Sequence, residues 1–114
     1  MKVVRAFSVL ILCAWSAVAS AGSVATAKIT AIRVDASGLG MMYFDKALTT
    51  PAACVPAGAS SRMSFDTKTT GGQAILSLAL SAKVSDVTVS VTGTNSCLHY
   101  TTSMESANYV TLNK

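Results

Sequence analysis

The sequence predicts a mainly β fold of the α+β class, with three strands, one helix and two further strands in that order. Two observations lead to this prediction. Short stretches in which apolar and polar residues alternate, as in half-buried strands, occur on both sides of one stretch with helical periodicity. Ser and Thr are also frequent beyond residue 21, and these residue types favour strands and turns.

Three strands are predicted before the helix. In the first, the alternation changes phase between Ala31 and Ile32, as a β-bulge or a strand shared by two sheets requires. A long loop, residues 47–60, separates the second strand from the third and contains Cys54. The three predicted strands cover residues 28–34, 39–45 and 62–66.

The helix is the clearest predicted element. Thr70 and Gln73 have the spacing of a capping box, in which each side chain hydrogen bonds to the backbone amide of the other residue. Gln73, Ser77 and Ser81 form a polar stripe, and apolar residues occupy the other positions. The predicted apolar face comprises Ala74, Ile75, Leu78, Ala79 and Ala82, widened by Leu76 and Leu80.

Two strands are predicted after the helix. Residues 86–92 alternate with one valine face, and residues 108–112 form the last strand. The turn at residues 93–96 leads to Cys97. The loops that carry Cys54 and Cys97 can meet if the third and last strands run parallel side by side, because both strands then start at the same end.

Residues 1–21 have the pattern of a secretory signal peptide, with basic residues first, an apolar stretch next and small residues at the end. We expect cleavage between Ala21 and Gly22, with cleavage after Ala19 as the second choice. An uncleaved membrane anchor is the alternative, although a spanning helix needs about 20 strongly apolar residues. The pattern predicts a secreted or periplasmic protein that meets the membrane only during export.

Removal of the signal peptide changes the composition. The full chain has nine Lys and Arg, five Asp and Glu, and three cysteines. Residues 22–114, the single predicted domain, keep seven basic residues and two cysteines, Cys54 and Cys97. An even pair in an exported chain predicts a disulfide, with two separate buried thiols as the alternative. A disulfide that closes the loop of about 43 residues between these cysteines stabilises a fold by about 4 kcal/mol.

The order of these elements is that of the five-stranded OB-fold barrel. The helix at residues 70–82 and the strand at residues 87–91 resemble those of B subunits of the subtilase-cytotoxin type, as do residues 42–44. The turn at residues 93–97 is similar to one in short exported bacterial proteins. The resemblance covers about half of the mature chain and implies an OB-fold, export and a ring of five copies that binds sialylated glycans. No sugar-binding residue of those toxins is matched to a position here.

Catalysis is not predicted. The chain has one histidine, His99, no serine in a glycine elbow, and no thiol left once the cysteines pair. Cys97 and His99 supply too few ligands for zinc, and the basic residues form no patch for nucleic acid. We therefore expect no enzyme, cofactor, metal or nucleic-acid partner. The acidic residues are far apart in the sequence, and we expect each to be solvated at a strand end or turn. They are Asp35, Asp45, Asp66, Asp86 and Glu105.

A binding function remains. Residues 94–106 form a loop pinned by Cys97, and constrained loops with polar and aromatic residues often carry binding sites. The predicted ligand-binding residues are Asn95, His99 and Tyr100. We expect a small binding protein with a glycan ligand in the toxin-like case. The alternative is an envelope protein-protein interaction or inhibitor module, which contacts its partner through an exposed strand or the same loop.

Overall fold

The computed structural model describes residues 21–100 and 103–113, and the predicted signal peptide lies outside these ranges except for Ala21. Within them, no helix has the length and hydropathy needed to span a bilayer. The elements are β1 (Ser23–Ala27), β2 (Ile29–Val34), β3 (Leu39–Phe44), β4 (Arg62–Asp66), α1 (Thr70–Ser85), β5 (Val89–Gly93) and β6 (Glu105–Leu112). For the residues that the structure describes, the mainly β class and one helix between strands are thus confirmed.

The strands form one sheet in the order β1-β5-β6-β4-β3-β2. Neighbouring strands are antiparallel except β4 and β6, which run parallel with Met63 opposite Glu105 and Ser64 opposite Ser106. β4 and β6 correspond to the third and last predicted strands, so the parallel arrangement under which the two cysteine loops can meet is present. As a result, the loops that precede these two strands lie at the same end of the sheet.

The sheet has six strands because β1 precedes the first predicted strand, which corresponds to β2. β1 and β2 are separated by Lys28 and occupy the two edges of the strand order. The register of β2 against β3 shifts between Ile29 and Ala31, slightly before the predicted change of phase. No pairing joins β1 to β2 within the described ranges. The closed five-stranded barrel therefore stays a prediction.

The start of α1 differs from the predicted capping box. The N-cap is Thr69, whose Oγ1 accepts a hydrogen bond of 2.9 Å from the Gly72 amide. The Gln73 side chain donates to the carbonyl of Thr67 at 3.0 Å, not to the cap amide. The helix ends at Ser85, and the next residue, Asp86, is the C-cap and has a left-handed backbone conformation. Asp86 is therefore not the first residue of the following strand, as the sequence suggested.

Small residues bring α1 close to the sheet. Gly72, Ala79 and Ala82 are buried, and a Cβ atom at Gly72 would overlap the carbonyl oxygen of Asp66. These three residues are the buried positions of α1, and they form one narrow stripe along it. The predicted apolar face is thus too wide: Leu78 and Leu80 are 37% and 47% exposed, and Ala74 is exposed as well.

The main core lies between α1 and the inner face of the sheet. Its buried side chains are Val24, Ala27, Ile29, Met42, Phe44, Leu48, Met63, Phe65, Ala79, Ala82, Val89, Val91 and Val110. Burying a side chain such as Phe65 contributes about 1.5 to 3 kcal/mol. Other buried apolar residues, among them Met41 and Met104, lie outside this cluster.

The predicted disulfide is present. Cys54 and Cys97 are bonded across a sequence separation of 43 residues, with their Cα atoms 6.2 Å apart. The bond joins the loop between β3 and β4 to the loop between β5 and β6. It is consistent with an oxidising compartment.

Candidate ligand-binding cleft

A cleft of about 200 Å³ lies at the end of the sheet where β4 ends and α1 begins. Three separate parts of the chain form it: the end of β4 with the first turn of α1, the middle of β6, and the loop between β5 and β6. We call it the His99 cleft. Its lining residues are Phe65, Asp66, Thr69, Gly71, Gly72, Ile75, His99, Ala107 and Asn108.

A short polar turn fixes the floor of the cleft. The Asp66 carboxylate accepts a hydrogen bond of 2.9 Å from the amide of Lys68, and the Asp66 carbonyl accepts one of 2.9 Å from the Thr69 hydroxyl. Thr69 in turn caps α1. These bonds hold the positive end of the α1 dipole beside the cleft. They also leave Asp66 with a second carboxylate oxygen that can accept from a ligand.

The parallel pairing of β4 and β6 brings two polar residues to the same cleft. Ser64 lies opposite Ser106, and Asp66 and Asn108 stand two residues further along the two strands. Both residues line the cleft.

His99 forms the wall, and Tyr100 holds that wall in place. The Tyr100 hydroxyl donates a hydrogen bond of 2.5 Å to Asp35 Oδ2, and Arg33 Nε donates one of 2.7 Å to Asp35 Oδ1. This chain of contacts fastens the loop that carries His99 to the turn between β2 and β3. Because Tyr100 follows His99 directly in the chain, this contact restrains the position of His99 beside α1.

The same contacts alter the electrostatics. Burial, followed by the hydrogen bond to Asp35, raises the pKa of Tyr100 to about 12. The Tyr100 hydroxyl, followed by the Arg33 guanidinium, lowers the pKa of Asp35. The bond to Asp35 in turn raises the pKa of Arg33. At neutral pH the three groups are therefore a neutral phenol, a carboxylate and a guanidinium.

The three predicted ligand-binding residues have different places. His99 lines the cleft. Tyr100 is not among the lining residues, and its hydroxyl donates a hydrogen bond to Asp35. Asn95 is not among the lining residues; it has a left-handed backbone with φ of 62°, and its amide donates to Glu105 Oε2 at 3.1 Å. The structure thus brings His99 and Tyr100 together and separates Asn95 from them.

Two lining residues were not singled out from the sequence. Asp66 was interpreted as a solvated residue at a strand end, and Asn108 as the first residue of the last strand. In the structure β6 begins earlier, at Glu105. The possible parallel arrangement of the third and last strands was the available signal, because it brings the end of β4 and the middle of β6 to the same region.

The cleft has the groups of a binding site for hydroxyl groups. Asp66 accepts hydrogen bonds, Asn108 both accepts and donates, and His99 offers one or two ring nitrogens. Ile75 and Ala107 supply apolar surface. Within the described residues, no group of three or more His, Cys, Asp or Glu side chains could hold a metal ion. No protein family, no curated protein and no solved structure matches this chain.

Proposed function

We propose that this protein is a small secreted or periplasmic binding domain that holds one sugar unit of a glycan in the His99 cleft. The observation that carries the proposal is the convergence of Asp66, His99 and Asn108, from three segments of the chain, on one cleft. Convergent polar groups in a concave site are typical of small-ligand binding. The proposal is for binding without catalysis.

The size and chemistry of the cleft support a sugar as the ligand. Its volume of about 200 Å³ is below the roughly 300 to 1,000 Å³ of sites for drug-sized ligands, and suits a single ring. Adjacent hydroxyl groups of a sugar need both acceptors and donors, which Asp66 and Asn108 provide together. Ile75 offers an apolar contact for the C–H groups of the ring.

The sheet order supports an OB-type arrangement for this binding domain. If β1 and β2 count as one strand bent at Lys28, that strand pairs with β5 on one side and β3 on the other. The helix then follows the third strand and the third strand pairs in parallel with the last. OB-folds bind oligosaccharides near the loops after the first strand and between the last two. Here those loops are joined by the bond between Tyr100 and Asp35.

A glycan array followed by an NMR titration tests the proposal. The mature domain, residues 22–114, is first applied to an array that includes sialylated and neutral glycans. The best glycan is then titrated into ¹⁵N-labelled protein, and we expect shift changes at the amides around Asp66, His99 and Asn108. His99→Ala and Asn108→Ala should weaken binding at least about tenfold, since each removes a hydrogen bond to the ligand. Lys83→Ala, on the exposed part of α1, is the control and should bind normally.

Two results would reject the proposal. One is the absence of binding to every glycan on the array. The other is binding with shift changes confined to another surface and with unchanged affinity in the His99→Ala and Asn108→Ala variants.

A second candidate function is a protein interaction through α1. Leu80 and Val84 lie one turn apart on α1 and are 47% and 85% exposed. Exposed apolar side chains at neighbouring positions are typical of protein contacts. The toxin resemblance makes a second copy of the chain the partner to test first.

Light scattering across a range of protein concentrations measures self-association. We expect the mature domain to form a closed oligomer that Leu80→Lys with Val84→Lys converts to a monomer. Ser81→Lys with Ser85→Lys changes the charge equally on the same helix and serves as the control. A wild-type domain that stays monomeric at all concentrations would exclude self-association.

A further inference from the structure

Glu105 is fully buried although it carries a carboxyl group, so the prediction that it is solvated is wrong. Both of its carboxylate oxygens lie within hydrogen-bond distance of backbone nitrogens. Oε1 accepts from Ala52 at 2.7 Å, Oε2 accepts from Asn95 at 3.1 Å, and the nitrogen of Gly22 lies 3.3 and 3.0 Å from Oε1 and Oε2. Among the described residues, no Lys, Arg or His side chain forms an ion pair with Glu105.

Within the described part of the chain, this arrangement gives the buried carboxyl group hydrogen bonds but no cationic partner. A buried carboxylate is costly unless it is both hydrogen-bonded and paired with a cation. The three amides supply hydrogen bonds, but each is neutral. A cation in contact with Glu105 would therefore remove the largest remaining electrostatic cost of burying it.

Gly22 is placed where such a cation can arise. Its nitrogen is near both carboxylate oxygens, yet an amide has a single N–H group and can point it well at one acceptor only. An ammonium group at the same nitrogen has three N–H groups and a positive charge. Gly22 is also the first residue after the predicted cleavage site.

The surroundings of Gly22 fit it closely. Its carbonyl oxygen accepts a hydrogen bond of 2.8 Å from the Gly93 amide, so the residue is held at both ends. A Cβ atom at Gly22 would lie 2.6 Å from Glu105 Oε1 and 3.1 Å from the Cα of Pro51. A Cβ atom at Gly93 would overlap Glu105 Oε2. Both positions therefore need glycine for the carboxylate and residue 22 to meet.

We propose that Glu105 is the binding site for the α-ammonium group that cleavage of the Ala21–Gly22 bond creates. In that hydrolysis the hydroxyl of water adds to the carbonyl carbon of Ala21, the C–N bond breaks, and the nitrogen of Gly22 leaves as an amine that is protonated near neutral pH. The new ammonium forms a buried ion pair with Glu105. The proposal rests on the predicted cleavage site and is independent of ligand binding.

The pairing couples export to stability. The uncleaved chain presents a neutral amide to Glu105, whereas the processed chain presents a cation. The domain therefore reaches its full stability only after the signal peptide is removed. This order suits an exported chain, because a chain crossing a membrane by the general secretion route must not be tightly folded beforehand.

Unfolding measurements on two forms of the domain test the proposal. One form begins at Gly22, and the other begins at Ser20 and so keeps two extra residues. We expect the equilibrium constant for unfolding to be on the order of 100-fold larger for the form that begins at Ser20, because it lacks one partner of a buried pair. Glu105→Gln should raise the constant much more in the form that begins at Gly22 than in the other form. Asp86→Asn, at an exposed carboxylate, is the control and should act equally in both.

Labelling of the α-amino group gives a second test that does not require Glu105→Gln to fold. An amine-selective reagent near neutral pH, read by mass spectrometry, should label the amine of the form that begins at Gly22 at least about tenfold more slowly than that of the form that begins at Ser20. Equal labelling rates and equal stability of the two forms would overturn the proposal. So would an exported protein whose mass shows that it begins at another residue.

Discussion

The Tyr100 hydroxyl donates a hydrogen bond to the Asp35 carboxylate and so ties the loop between β5 and β6 to the turn between β2 and β3. The two residues are 65 positions apart in the chain. Their contact holds His99 in the wall of the cleft. The binding site that we propose therefore depends on a residue that is itself outside the cleft.

Alkaline unfolding should reveal this bond. The pKa of Tyr100 is raised to about 12 in the folded protein, from an ordinary value of 10.0. Its contribution to stability is complete below about pH 10 and is lost as the pH rises from about 10 to 12, because the unfolded chain loses the proton first. Tyr100→Phe should lower the urea midpoint at neutral pH. It should also remove the part of the loss of stability that occurs between about pH 10 and 12. Tyr109→Phe, at a tyrosine that is 55% exposed, is the control.

Acid unfolding tests the other side of the same contact. The pKa of Asp35 is lowered from its ordinary value of 3.8, first by Tyr100 and then by Arg33. A lowered pKa contributes stability above the unfolded value, and this contribution is lost as the pH falls below about 4. Asp35→Asn should flatten that part of the curve of stability against pH, measured by urea unfolding. A variant with the same acid decline as the wild type would contradict the assignment.

Local patterns made the strands and the helix predictable. Residues 62–66 alternate with period two, and α1 has helical periodicity. Each pattern arises because one face of the element is buried, so both elements were identified. β1 was not predicted, because its register against β5 shifts between Val24 and Ala27 and its buried positions therefore do not alternate. The predicted buried face of α1 was too wide. The contact between Gly72 and the Asp66 carbonyl is a tertiary one, and helical periodicity does not show it.

The polar sites were predictable only in part. His99 and Tyr100 stand in a loop pinned by a predicted disulfide, and this context pointed to them. Glu105 has the sequence surroundings of a solvated residue at a strand start, and nothing local distinguishes it. Its burial depends on Gly22 and Ala52, which are 83 and 53 residues away. Contacts at such separations leave no periodic trace in the sequence.

Two neighbouring glycines of α1 should respond in opposite directions to alanine. Gly71 has no atom within 4 Å of a new Cβ, whereas at Gly72 the Cβ would overlap the Asp66 carbonyl. Gly71→Ala should stabilise the domain by about 0.5 to 1 kcal/mol, because alanine favours the helix. Gly72→Ala should destabilise it by about 1 to 3 kcal/mol through steric strain. Urea unfolding measures both, and the same sign for the two variants would contradict the close packing of α1 on β4.

Removal of the disulfide should affect stability and the cleft together. The bond between Cys54 and Cys97 spans 43 residues, and its loss should destabilise the domain by about 4 kcal/mol in the chain-entropy description. Because Cys97 is two residues before His99, the freed loop should also move more and weaken glycan binding. The double variant Cys54→Ala with Cys97→Ala, compared with the wild type in urea unfolding and in the NMR titration, measures both effects. Adding a thiol reductant is the control: it should destabilise the wild type and leave the double variant unchanged, while full stability in the double variant would contradict a structural role for the bond.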